Sequence, residues 1–200
     1  NPGCVAGAMS LGLAPAAAGG LIEPDGIVVD GKSGSSGAGK KPSPTHHFPE
    51  RNENVTAYRI GTHQHAVETE AVVGALAGTS IDLTFVPHLV PVTRGILCTI
   101  YARLRAPTAS ADVVAAYRGF YAGEPFVRVL PPGVSPGIGS VRGSNLCDLS
   151  VTVVGGDRRL IVTASIDNLL KGQAGVALQN INLMLGFPEA TGLDRLPTYP

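Results

Sequence analysis

The chain is 200 residues long, 44% hydrophobic and 15% charged, with fifteen acidic and fifteen basic residues in balance. That length is enough for one well-buried domain, and the even charge lacks the basic footprint of phosphate-backbone binding, which argues against nucleic acid as a partner. Apolar stretches such as AGAMSLGLAPAAAGGLI are broken by Pro and Gly before the ~20 residues a membrane span needs, so a soluble protein with no membrane partner is expected.

The chain opens on Asn with no charged leader, which reads as a piece or processed product of something longer. After a turn at Pro2, residues 5–18 read as a helix of small residues closed by Gly19 and Gly20. Residues 26–30 form a strand, and 31–54 a long loop too rich in Gly, Ser and Pro to be regular. A short strand at 57–61 leads into HQH, and an amphipathic helix follows, ending at Gly78. Strands are expected at 81–90 and 95–104, with Pro87, Pro91 and a TRG turn between their cores. A helix at 109–121, a strand at 126–130, a Pro-Gly loop to Gly143, strands at 147–154 and 159–166, and a helix at 169–185 complete the chain. Strands outnumber helices and tight βαβ alternation is scarce. The expected fold class is therefore α+β, a mixed and mostly antiparallel sheet with helices on one face.

The segment GKSGSSGAGKK, 31–41, follows a strand and looks like a nucleotide-phosphate loop. Gly34, Gly39 and Lys40 fit G-x-x-x-x-G-K-[ST], but Lys41 stands where the Mg²⁺-binding hydroxyl belongs. The prolines that follow also forbid the helix such a loop requires. Lys32 and Ser33, backed by glycines, could still present a cation and N–H groups to an anion.

Cys4 is the first candidate for chemistry. It lies in the first turn of a predicted helix, where unpaired N–H groups and the dipole favour a thiolate; the competing reading is a small buried hydrophobe. Cys98 and Cys147 sit in alternating strand patterns and read as core. An odd, scattered set of three cysteines makes no disulfide framework and points to a reducing compartment, by default the cytoplasm, or an organelle such as a plastid in a eukaryote. His63 and His65 would share a face if HQH is extended, and one of them could serve Cys4 as acid and base. A metal site drawing on His46, His47 and His88 is set aside, because no ligand spacing matches a known cage. Arg94, in a turn between strands, could clamp a carboxylate or phosphate.

NPGC at 1–4, DGKSGSSGAGK at 30–40, HFPERNEN at 47–54, HQH at 63–65, FVPHLVPVTRGIL at 85–97 and DNLLKGQAGVALQNINLMLGFPE at 167–189 together closely resemble the N-acetyl-γ-glutamyl-phosphate reductase family. The likeness spans nearly the whole chain. It implies an NADPH-dependent reduction of an acyl phosphate to a semialdehyde in arginine biosynthesis, with Cys4 as the thioester-forming nucleophile and His65, in preference to His63, as acid and base. It further implies substrate contacts at Lys32, Ser33, His88 and Arg94, cofactor contacts at Gly172 and Asn180, no metal, and association into at least a dimer. The fold implied for residues 1–200 is the glyceraldehyde-3-phosphate dehydrogenase-like catalytic and dimerisation domain. Three departures stand out. Val5, Ala6 and Gly7 replace the usual Tyr-Pro-Thr after the cysteine. Gln64 replaces an arginine, removing a charge that could bind substrate. No G-x-G-x-x-G follows a strand, so the dinucleotide-binding domain is expected to be missing from this chain. Related acyl phosphates, such as carrier-linked aminoadipyl or glutamyl phosphates, and a purely associative module are the alternatives.

Overall fold

A computed structural model describes residues 1–156 and 158–198. Among them, β1 (Ile27–Ser33), β2 (Thr56–Ala57), β3 (Leu83–Leu89), β4 (Ile96–Arg103), β5 (Val127–Val129), β6 (Cys147–Val154) and β7 (Arg159–Ile166) form one sheet in the order β2-β3-β1-β4-β7-β6-β5. The pairs β1–β3 and β5–β6 are parallel and the others antiparallel. The parallel pair β1–β3 needs a long crossover, and α3 (Gln64–Ala77) lies within it.

Alternation along the strands decides which face is covered. Ile27 and Val29, Ile96, Cys98 and Ile100, and Leu160, Val162 and Ala164 are all buried on one face. Over that face lie α1 (Cys4–Ala18), α3 and α4 (Ser110–Phe120), whose Met9, Leu13, Val73, Val113 and Tyr117 join the same core. On the other face Val28 and Tyr101 remain exposed. The sheet is thus mixed, mostly antiparallel and clothed with helices on one side, as the pattern of residues implies.

Helix α1 is apolar on nearly every side because it runs through the middle of the helical layer, in contact with α3, α4, β4 and β7. Its small residues allow that closeness. A Cβ on Gly12 would collide with Ile100 Cδ1. Two buried tyrosines tie α4 to it, Tyr117 donating to Gly12 O at 2.7 Å and Tyr121 to Leu11 O at 2.5 Å, so neither hydroxyl is left without a partner.

Several boundaries differ from the sequence reading. Strand β1 continues through Ser33, so Gly31 and Lys32 belong to the sheet and the loop starts only at Gly34. That loop is not irregular throughout: it holds 3-10 turns at Ser35–Ala38 and Pro44–His46 and a short helix α2 (Phe48–Arg51). The HQH segment is not extended. His63 caps α3 and Gln64 and His65 form its first turn, so the two rings are not neighbours on a strand face. The last helix begins as a π turn, Leu170–Ala174, and becomes α-helical only in α5 (Gly175–Met184).

Candidate active site

A cavity of about 800 Å³ opens at the N-terminus of α1, lined among others by Cys4, Ser33, Tyr58, His63, His65 and Gly172. Gly3, extended at φ −65° and ψ 153°, delivers the chain into the helix so that Cys4 is its first residue and stands half-buried at the cavity wall. Burial pushes the Cys4 thiol above its ordinary range; the N–H groups of Val5 and Cys4 pull it down, and the Glu68 carboxylate pushes it up again. The net direction corrects the expectation of a thiolate favoured by the helix terminus. Desolvation outweighs the unpaired N–H groups here and favours the thiol over the thiolate. Cys98 and Cys147 are core residues, as their strand patterns suggest; burial raises both, Cys147 to about 12.

The two histidines differ in role. His63 is buried, with its Nδ1 accepting the backbone N–H of His65 at 3.2 Å and its ring edge-on to Phe85 and Tyr58. Burial, His65 and Arg59 together hold it down to about 4, so it is a neutral helix cap. The His65 ring, 4.5 Å from that of His63, lies over Gly3, where any Cβ would strike its Nε2. Its Nδ1 is buried with no hydrogen-bond partner among the described residues. Burial lowers its pKa, Glu68 raises it and Arg59 lowers it, leaving a net fall. A neutral imidazole beside the residue that precedes Cys4 is suited to accept a proton. Glu68, one helical turn on from His65, accepts the Gly3 N–H at 2.7 Å and so buckles α3 to the start of α1.

The opposite wall comes from the end of β7. Asp167, fully buried, accepts N–H bonds from Leu169, Leu170 and Gly143 at 2.8 to 3.0 Å and pairs with Arg94 Nε at 2.9 Å. Asn168 accepts from Gly95 N at 2.7 Å and donates to Ser36 Oγ at 3.0 Å. These two side chains fix the π turn and the 34–38 loop around the cysteine. In that turn Gly172 presses directly on Cys4, since a Cβ there would stand 2.8 Å from Cys4 Cβ.

Not every residue assigned from sequence comes to this cavity. Ser33 lines it, but Lys32 points to the other face of β1, because neighbouring strand residues alternate. There it meets His88, its cross-strand partner in register on β3, and both lie 3.0 Å from Asp30 Oδ1. Arg94 is not among the residues lining this cavity, and its Nε pairs with Asp167. Asn180 donates to Asn1 Oδ1 at 2.9 Å on the exposed side of α5 and is outside the cavity lining. The sequence reading missed Glu68, Asn168, Tyr58, Arg51 and Arg59. Glu68 had a signal, its i+3 spacing from His65 on a helix; Arg51, in a segment read as loop, and Arg59, in one read as a short strand, were not singled out. Gly172 and Gln173 line the cavity with Cys4, and the chain's glycine-rich 34–39 loop does not follow the G-x-G-x-x-G pattern of a pyrophosphate cradle.

A family profile described as semialdehyde dehydrogenase, dimerisation domain, matches residues 4–168. N-acetyl-gamma-glutamyl-phosphate reductases from Geobacter sp. (strain M21) and Symbiobacterium thermophilum are each 50% identical, over 201 and 202 residues and 100% of this chain. One from Pelotomaculum thermopropionicum is 47% identical over 200 residues and again 100% of the chain. The chain spans 58% of the length of these curated relatives. All three sources are bacterial and lend nothing to the organelle alternative. Among solved structures, aspartate semialdehyde dehydrogenase II from Vibrio cholerae superposes with a TM-score of 0.73 at 17% identity, covering 93% of this chain and 62% of that one. Aspartate semialdehyde dehydrogenase from Francisella tularensis gives 0.70 at 13% identity, over 92% of this chain and 64% of that one. At such identities these two likenesses speak for the fold.

Proposed function

The chain belongs to the semialdehyde dehydrogenase dimerisation-domain family, and from that premise we propose that it is the catalytic portion of an N-acetyl-γ-glutamyl-phosphate reductase acting in arginine biosynthesis. The observation that carries the proposal is the meeting of Cys4 and His65 at one cavity. His65 takes the thiol proton, and the Cys4 sulfur attacks the acyl carbon, forming a thioester as the C–O bond to phosphate breaks and phosphate leaves with the bonding pair. Holding nucleophile and base on two helix starts joined by the Gly3–Glu68 bond keeps them oriented without reorganisation. NADPH would supply the hydride that reduces the thioester, and its phosphates would be held by a dinucleotide-binding portion outside these 200 residues. The proton carried by imidazolium at His65 then returns to the oxygen or sulfur as the aldehyde departs and the thiol is restored. The working compartment is the cytoplasm, and the working state an oligomer of at least two copies.

The reading is tested by following oxidation of NADPH with the intact protein on N-acetyl-γ-glutamyl phosphate and on a carrier-linked aminoadipyl phosphate. Turnover with the first in clear preference to the second is expected. Turnover with neither reduces the chain to an association module, and preference for the second assigns it to the related acyl phosphate.

A further inference from the structure

Arg51 lines the same cavity as Cys4, and among the described residues one group holds its guanidinium. Its Nη2 donates to Thr56 Oγ1 at 2.9 Å, which anchors it to the edge strand β2. Its Nε and Nη1 are buried and have no hydrogen-bond partner among the described residues. A guanidinium cannot escape that condition by losing a proton, and buried donors left without acceptors destabilise a structure, more so when charged. Such a group, in one cavity with Cys4 and short of acceptors, is matched by an oxyanion. Arg59 adds a second positive charge to the lining, from a backbone held in the left-handed region at φ 46°, an uncommon conformation for a residue with a side chain.

We propose that Arg51 is the oxyanion-recognition residue of this cavity, binding the phosphate or the carboxylate of the acyl phosphate and so helping to decide which acyl phosphates enter. The inference rests on the cavity being an acyl-phosphate site. It makes Arg51 a binding residue; the bond-making steps stay with Cys4 and His65.

The test is protection of Cys4 from iodoacetamide, in the intact protein, by inorganic phosphate and separately by N-acetylglutamate. Wild type is compared with Arg51→Ala, Arg51→Lys and Thr56→Val, the last of which only frees Nη2 from its anchor. At least one anion should protect the wild type, and its half-protecting concentration should rise about tenfold in Arg51→Ala, the loss of one charge-assisted contact. Arg51→Lys and Thr56→Val should fall between. The anion whose protection shifts identifies the group that Arg51 holds. In steady state KM for the acyl phosphate should rise with it while kcat changes little. Equal protection of wild type and Arg51→Ala by both anions, or protection of neither, overturns the assignment. Acylation of wild-type Cys4 by the acyl phosphate is measured alongside, and its absence counts against the catalytic reading itself, separately from Arg51.

Discussion

Cys4 is pulled in two directions, by the unpaired N–H groups of its own helix and by the loss of water around its sulfur, and burial is the larger influence. Its alkylation rate should therefore rise with pH to a midpoint above the ~8.5 of a free thiol; a midpoint below that value would mean that the helix terminus dominates after all. His63 gives a second pH signature. Its folded pKa of about 4 lies below the 6.5 it takes when free, so between those values the unfolded chain binds a proton that the folded chain refuses. The stability tied to this group is complete above pH 6.5 and is lost as pH falls toward 4. Thermal melts should show Tm dropping across that window, less steeply in His63→Gln, with His65 contributing the same sign. A wild-type slope no greater than the variant's would deny His63 this role. That Cys4 and His65 share one cavity was legible in the sequence, because each stands in a motif of the family resemblance. Lys32, His88 and Arg94 were misplaced for a different reason: their facing depends on where β1 ends, on the β1–β3 register and on Asp167 lying within reach of Arg94, all of which are set by tertiary pairing.

The elements meet at the cysteine with little tolerance. The π turn after β7 passes so close to α1 that one added methyl at Gly172 would overlap Cys4. Gly172→Ala should push the turn or the helix start aside, lowering acylation of Cys4 by roughly 10²-fold through misplacement while costing about 1–3 kcal/mol of stability through overpacking. Wild-type acylation rates in that variant would show that the turn has slack. The long strands and helices could be read from alternation and period, because their burial follows local pattern. The start of α3 and the π turn could not. The first is fixed by His63 capping its own helix, and the second by Asp167 gathering the N–H groups of Leu169 and Leu170, a contact that no periodicity announces.

Across the whole molecule the sheet is one-sided, with helices and the cavity on one face and, on the other, Val28 and Tyr101 in the open. An exposed antiparallel face of this kind suits pairing with a second copy, in keeping with a family described as a dimerisation domain. Tyr101→Asp should convert the protein to monomers in size-exclusion chromatography without unfolding it; an unchanged elution volume would place the contact elsewhere. Such a division leaves the helical face free for chemistry, and that chemistry is open to a direct measurement. N-acetyl-γ-glutamyl phosphate is mixed with the intact protein without NADPH, and phosphate release and intact mass are followed together. A burst of phosphate matching the number of active chains, with an acyl group gained on Cys4 and neither seen in Cys4→Ser, is the predicted result. No burst, or a burst that survives in Cys4→Ser, would contradict the thioester route.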